Sequence, residues 1–390
     1  MNRKIAFLSA FLPLAGCGPA MGTSGATAAV AEQGRVRYVQ RNLVSDGFVP
    51  AEQTDSNLVN AWGITHLPTS PWWVSDNGTN VTTLYDANGI AQPAAQPLVV
   101  SVTGAGGNPA DPTGNVANAG TGFVVSIGAA SGPARFIFAS EDGTISGWNP
   151  GVPPPVPPAT RSTQTVVMVD ESSAEADSGA VFKGLALAST PAGDRLFATN
   201  FRDARVEVFD TSFANVTAPG SFVDPGIPAG FAPFGIAAVE DTIVVTYAKQ
   251  DAHRHDDVAG RHLGYVSAFS PDGTFLGRVA SRGKLNSPWG LALAPAGFGA
   301  FSGHLLVGNF GDGHLIAYRM PDAGKHRDAE EEGEGRYVIG QRGPIVIDGL
   351  WGLGFGNGAT AGPVNTLFFA AGPGGEAHGL FGRIDPAPDR

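Results

Sequence analysis

Short apolar runs, alternating or continuous, recur along the whole chain, and nearly every one is bounded by Gly, Pro, Asn or Asp. That pattern predicts β-strands joined by tight turns, because helical periodicity would need apolar residues three and four positions apart over longer stretches. The segment from Trp289 to Arg319 shows the unit most clearly. It holds the runs W-G-L-A-L, L-L-V-G-N and L-I-A-Y, and the last two meet at a G-D-G turn. Variants begin at Trp62, Gly184, Phe234 and Trp351, and a degenerate copy begins at Gly122. The marker glycines are Gly63, Gly122, Gly184, Gly235, Gly290 and Gly352, spaced 51 to 62 residues apart. Six strand-rich copies with that period predict an all-β, six-bladed β-propeller.

Within a copy, the Trp-Gly or Phe-Gly pair suits the innermost strand, where glycine lets blades approach and the aromatic packs between them. In the first copy, Trp62 to His66 is expected innermost, followed by Trp72 to Ser75, Val81 to Asp86 and Leu98 to Val102. The strands of the last copy end at Ile384, one short of a four-stranded blade, while Val36 to Val44 forms a lone strand before the first copy. The N-terminal strand is therefore expected to close the ring beside Leu380 to Ile384 and so remove an exposed edge. Gly104 to Gly122, Pro150 to Pro158 and the charged stretch Asp322 to Arg336 read as insertions or surface loops.

Composition refines this picture at three points. The formal net charge of −11, with no basic stripe, argues against a nucleic-acid partner. Cys17 is the single cysteine, so no disulfide staples the domain and closure must come from strand pairing. The N-terminus has a basic start at Arg3 and Lys4, an apolar run from Ile5 to Leu14, and then Leu14-Ala15-Gly16-Cys17, which resembles a bacterial lipobox. The expected division is a lipoprotein signal over 1–16, a lipidated Gly/Ala/Thr/Ser tether over 17–34, the propeller over 35–385 and a short tail over 386–390. Lipidation at Cys17 would place the protein outside the cytoplasm, and Gly18 after the cysteine points to the outer membrane. Cleavage near Ala20 as an ordinary secretory signal is the alternative.

Candidate chemistry clusters where second strands end, since those turns gather around one mouth of a propeller. Asp76, Asn77, Glu141, Asn200, Asn309 and Glu376 hold such positions, and their oxygens suit a hard cation such as Ca²⁺. Asn and Asp before Gly also serve turns, which is the competing role for each of them. Glu376 and His378 share a Gly-rich loop and form a candidate acid–base pair. His253 and His255 share one face of an extended Asp251–Asp257 stretch, with His262 nearby, as a weaker transition-metal candidate. The chain lacks Gly-x-Ser-x-Gly, the phosphate-cradling P-loop and His-Glu-x-x-His.

At Asn60 to Ile64, Trp73 to Gly78, Tyr247 to Asp251, Leu306 to Gly313 and Asp348 to Leu353, the chain resembles a bacterial family of exported NHL-like propellers, some with PEP-CTERM sorting tails. The resemblance runs from about Asn42 to Ile384; Arg390 ends the chain without such a tail. It implies the propeller and export but carries over no activity. Two functions follow as expectations: a lipid-anchored binding or assembly module for an envelope protein or polysaccharide, or a metal-dependent hydrolase or lactonase with its ion at the channel mouth.

Overall fold

The computed structural model describes residues 38–320 and 334–387. The expected signal, tether, Cys17 and final tail residues lie outside them, as does most of the charged stretch after Asp322. Strands dominate, and the helical pieces among the described residues are three 3-10 turns. None of the described helices is long and apolar enough to cross a membrane.

Five regular blades form from continuous stretches at 61–101, 112–170, 182–209, 231–281 and 288–337. Each is an antiparallel sheet of four strands, except the third, which has three. The remaining copy departs from the expected pattern. Its strands Leu350–Phe355, Leu367–Ala371 and Leu380–Pro386 belong to a seven-stranded composite sheet. The fold is thus propeller-like, with five regular blades where six uniform ones were expected.

The composite arises because the two ends of the fold meet there. Tyr38–Ser45 pairs antiparallel with Leu380–Pro386, from Tyr38 opposite Pro386 to Ser45 opposite Leu380. That strand does not remain the edge. Gln53–Thr54 and Ile339–Gly340 both pair parallel to it, so two short segments cover its free hydrogen-bonding groups. The Tyr38 hydroxyl donates to the Phe298 carbonyl at 2.7 Å and ties this sheet to the fifth blade.

The innermost strands, Ala61–Thr65, Pro112–Ala117, Phe182–Thr190, Phe231–Val239, Pro288–Leu293 and Leu350–Phe355, contact one another in cyclic order around an axis. Glycine makes the approach possible. A Cβ at Gly63 would lie 2.6 Å from the Thr113 carbonyl oxygen, one at Gly235 2.1 Å from that of Trp289, and one at Gly352 2.4 Å from that of Trp62.

The second blade corrects the expected marker. Its inner strand is Pro112–Ala117, paired with Phe136–Ser140, and the axial glycine is Gly114, whose Cβ would lie 2.6 Å from the Leu185 nitrogen. Gly122 instead packs against Thr211, and Val124–Ile127 forms only a two-stranded hairpin with Ala130–Pro133. Thr113 stands where an aromatic was sought, because its hydroxyl donates across to the Phe182 carbonyl at 2.8 Å and joins the neighbouring blades by a hydrogen bond.

Apolar residues on facing sheets build the core. Between the first two blades, Trp73 stacks on Phe136 with centroids 4.1 Å apart and also meets Trp148. Trp62, Trp289 and Trp351 are buried around the axis with Phe201 and Phe234, which is the packing role expected of them.

Candidate functional site around Lys183

Six residues precede the axial glycines: Trp62, Thr113, Lys183, Phe234, Trp289 and Trp351. Five are aromatic or neutral, and the sixth is a lysine. Lys183 is 1% exposed, and its ammonium lies 5.2 Å from the centroid of Trp62 and 6.0 Å from that of Phe201. Trp62 in turn stacks on Trp351 at 3.5 Å, with Phe310 on Trp351 at 3.9 Å. Aromatic faces suit a cation, but a buried charge needs an anion as well. Lys183 Nζ donates to Glu141 Oε1 in a very short contact and to Asp256 Oδ1 at 3.4 Å.

This ion pair belongs to a longer chain of side chains. Asn77 Nδ2 donates to the other Glu141 oxygen at 3.0 Å, and Asn60 Nδ2 donates to Asn77 Oδ1 at 3.0 Å and to Glu376 Oε2 at 2.9 Å. Trp351 Nε1 donates to Asn60 Oδ1. At the opposite end, His255 Nδ1 lies 2.9 Å from Asp256 Oδ1. The sequence Glu376, Asn60, Asn77, Glu141, Lys183, Asp256, His255 thus links loops from four sheets. His255 and Asp256 reach the group because the Asp251 carboxylate accepts from the His255 backbone N–H at 2.9 Å and holds the loop in a tight turn.

Electrostatics define what the cluster can do. Burial alone would lower the Lys183 pKa, but Glu141 and Asp256 outweigh it and hold the value above that of ordinary lysine. The amine is therefore charged near neutral pH and unsuited to nucleophilic attack. The His255 hydrogen bond and Lys183 hold Asp256 down at about 2, against the cost of burial. Burial raises Glu376, with Glu141 adding to it, and burial likewise raises Asp257. The mouth is an acidic field with one fixed positive charge at its focus. Beside it lies a polar pocket of about 570 Å³ whose lining includes Glu141, Asp142, Asp177, Arg202 and His255. A separate cavity of about 280 Å³ lies farther along the inner strands, among Ile64, Asn115, Leu185 and Leu353.

Three of the expected cation ligands join this chain: Asn77, Glu141 and Glu376. The other three find partners outside this polar chain. Asp76 is fully buried and accepts from Thr83 Oγ1 at 2.8 Å, and burial pushes its pKa well up. Asn200 donates to Asp203 and Glu207, and Asn309 donates to the Lys284 carbonyl and to Asp312. For these asparagines the turn role prevails: Asn200 spends its amide within its own strand-turn-strand unit, and Asn309 divides its amide between Asp312 of its own turn and the Lys284 carbonyl in the preceding linker.

The expected Glu376–His378 pair does not form. His378 Nδ1 bonds Asp46 at 2.7 Å and stacks on Phe48, while Glu376 bonds Asn60. The two histidines of the fourth-blade loop also part, with His253 on Asp177 and His255 on Asp256; His262 bonds the Gly283 carbonyl. Lys183 was missed altogether, although a charged residue in the aromatic slot before a marker glycine was a readable signal.

The cluster around Asn200 has a pH signature of its own. Burial and the neighbouring Glu207 raise Glu171 to about 7. The native state therefore binds more protons than the unfolded chain between about pH 4.5 and 7, and stability falls as pH rises through that range. Because the Glu171 side chain is 29% exposed, solvent screening limits the effect to about 1 kcal/mol. Urea midpoints at pH 5 and pH 7 should fall more steeply in the wild type than in Glu171→Gln, since other buried carboxylates share the sign of the effect; an equal slope in both proteins would refute the assignment.

No protein-family model matches the sequence. Uncharacterized protein R648 of Acanthamoeba polyphaga mimivirus is 32% identical over 353 residues, covering 88% of this chain and 78% of the relative. Uncharacterized protein L690 of the same virus is 33% identical over 322 residues, covering 80% of this chain and 77% of the relative. Among solved structures, a glucose dehydrogenase aligns with 90% of this chain and 100% of its own, with a TM-score of 0.53 and 12% identity, a likeness of fold alone. The sequence identity and its span together place the chain in the family of the mimivirus proteins R648 and L690.

Proposed function

We propose that this chain is an extracytoplasmic binding module that takes a hydroxyl-rich or cationic ligand at the Lys183 mouth. It acts in the bacterial cell envelope, held through lipid on Cys17, with an envelope polysaccharide or protein as partner. In this reading the composite sheet serves as the sixth blade and gives the rigid, closed frame that a binding surface needs. The observation that carries the proposal is the polar chain from Glu376 to His255, which borders the pocket of about 570 Å³. Carboxylate oxygens there accept from hydroxyl or ammonium donors, Arg202 supplies a donor, and the acid excess disfavours anions.

Titration calorimetry of the full-length protein against envelope polysaccharides and cationic oligosaccharides tests this reading. His255→Ala should weaken binding at least tenfold, which corresponds to about 1.4 kcal/mol. Undiminished binding by that variant would remove the Lys183 mouth from the reading. Cys17→Ser should move the protein from the membrane to the soluble fraction, and a variant that stays in the membrane would remove the lipid anchor.

A second reading, a metal-dependent hydrolase or lactonase, is favoured by one observation: ligand atoms of Glu141, His255 and Asp256 all lie within 4.8 Å of one another. One imidazole and two carboxylates suit Zn²⁺, Mn²⁺ or Co²⁺ better than the Ca²⁺ expected for oxygen ligands alone. Metal-stimulated hydrolysis of lactones or esters that His255→Ala abolishes would favour this reading over the first.

A further inference from the structure

We propose that the Glu141, His255 and Asp256 cluster is a divalent-cation site whose resident cation is the tethered ammonium of Lys183. This inference stands apart from the binding reading and opposes the hydrolase reading, since it closes the same three residues to metals in the wild type. Three groups with metal-ligand chemistry converge from two blades, with ligand atoms within 4.8 Å of one another. Such convergence of anions is unfavourable unless a cation holds it together. Here the cation is part of the chain: Lys183 Nζ bonds both Glu141 Oε1 and Asp256 Oδ1.

The arrangement also explains why a lysine sits in the inner strand. Its backbone takes the place of the aromatic residue before a marker glycine, and its ammonium lies over the rings of Trp62 and Phe201 where it meets the carboxylates. A cation fixed to the chain acts at a high effective concentration beside the carboxylates. A metal ion would have to displace Lys183 and leave an ammonium buried without a partner, which is strongly unfavourable. The site is therefore closed to metals in the wild type and open once the ammonium is removed.

The experiment is Zn²⁺ binding to the full-length protein, read by competition with a chromophoric chelator and by elemental analysis after gel filtration. The wild type should retain well under one equivalent. Lys183→Met should retain one equivalent and bind at least a hundredfold more tightly, and Lys183→Met combined with His255→Ala should lose that gain. Lys183→Arg, which keeps a cation in place, should behave as the wild type. Near-ultraviolet circular dichroism from the axial tryptophans identifies folded variants.

Stoichiometric Zn²⁺ in the wild type, lost in His255→Ala, would overturn the proposal without reference to any Lys183 variant. So would a folded Lys183→Met protein with no gain in affinity. Should Lys183→Met fold only when Zn²⁺ is present, the ion would be replacing the ammonium, which supports the proposal.

Discussion

Gly235→Ala should cost about 3 kcal/mol of stability, at the upper end of what overpacking a well-filled interior costs. The added methyl carbon would sit 2.1 Å from the Trp289 carbonyl oxygen, 2.8 Å from its carbon and 3.0 Å from Thr246 Oγ1. Two of these atoms are backbone of the next inner strand, so no side-chain rotation relieves the clash. The Gly235 N–H donates to Thr246 Oγ1 at 2.8 Å, so a shift of the strand also breaks a buried hydrogen bond. Gly151→Ala is the control: Gly151 is exposed, and its added Cβ meets only the Asn149 side-chain oxygen, at 3.6 Å. It should stay within about 0.5 kcal/mol of the wild type. Denaturant midpoints of the two variants decide the matter, and equal midpoints would mean that the inner strands separate without cost.

Lys183→Met should lose a comparable amount, about 3 kcal/mol at neutral pH without added metal. Removing one partner of a buried ion pair leaves the other charge uncompensated, at about 3 to 5 kcal/mol. The lower end applies because Glu141 is 14% exposed and Asp256 67% exposed, so water reaches the second carboxylate freely. Glu141 keeps its bond from Asn77, which limits the damage further. Zn²⁺ at a hundred times its dissociation constant should return about 2.7 kcal/mol to this variant and leave the wild-type midpoint unchanged. Melting curves with and without Zn²⁺ measure both effects. A variant as stable as the wild type would mean that the ammonium does not hold the carboxylates together.

Most strands were legible because strand patterning is local: an alternating or continuous apolar run between turn residues needs no knowledge of its partner. The pairing of the N-terminal strand with Leu380–Pro386 was also readable, from the one strand missing at the end of the last copy. Reading failed where a residue's role depended on its neighbour. The inner strand Pro112–Ala117 lies in a Gly/Asn/Pro-rich stretch without an aromatic before its glycine, so the run at Gly122 carries the stronger strand pattern. Thr113 does by hydrogen bonding what Trp62 and Trp351 do by packing, and no hydropathy pattern registers that exchange.

The site divides along the same line. Asp76, Asn200 and Asn309 occupy the same point of their repeats, opposite Ala61, Phe182 and Pro288, and Asn77, one residue further on, faces the mouth chain while the two other asparagines are absorbed by Glu207, Asp203 and Asp312. Carboxylates downstream in the third and fifth blades capture their amides, whereas Asn77 meets Asn60 and Glu141 from neighbouring elements. What the sequence by itself determined is the all-β repeat, five of the six glycines that let inner strands touch, and the pairing of the first described strand with the last. Only the tertiary structure decided the composite sheet and the focus of the acidic mouth on Lys183. Strand formation follows from chemistry within a few residues, while the partner of a buried charge is set by which loops closure brings within hydrogen-bonding distance.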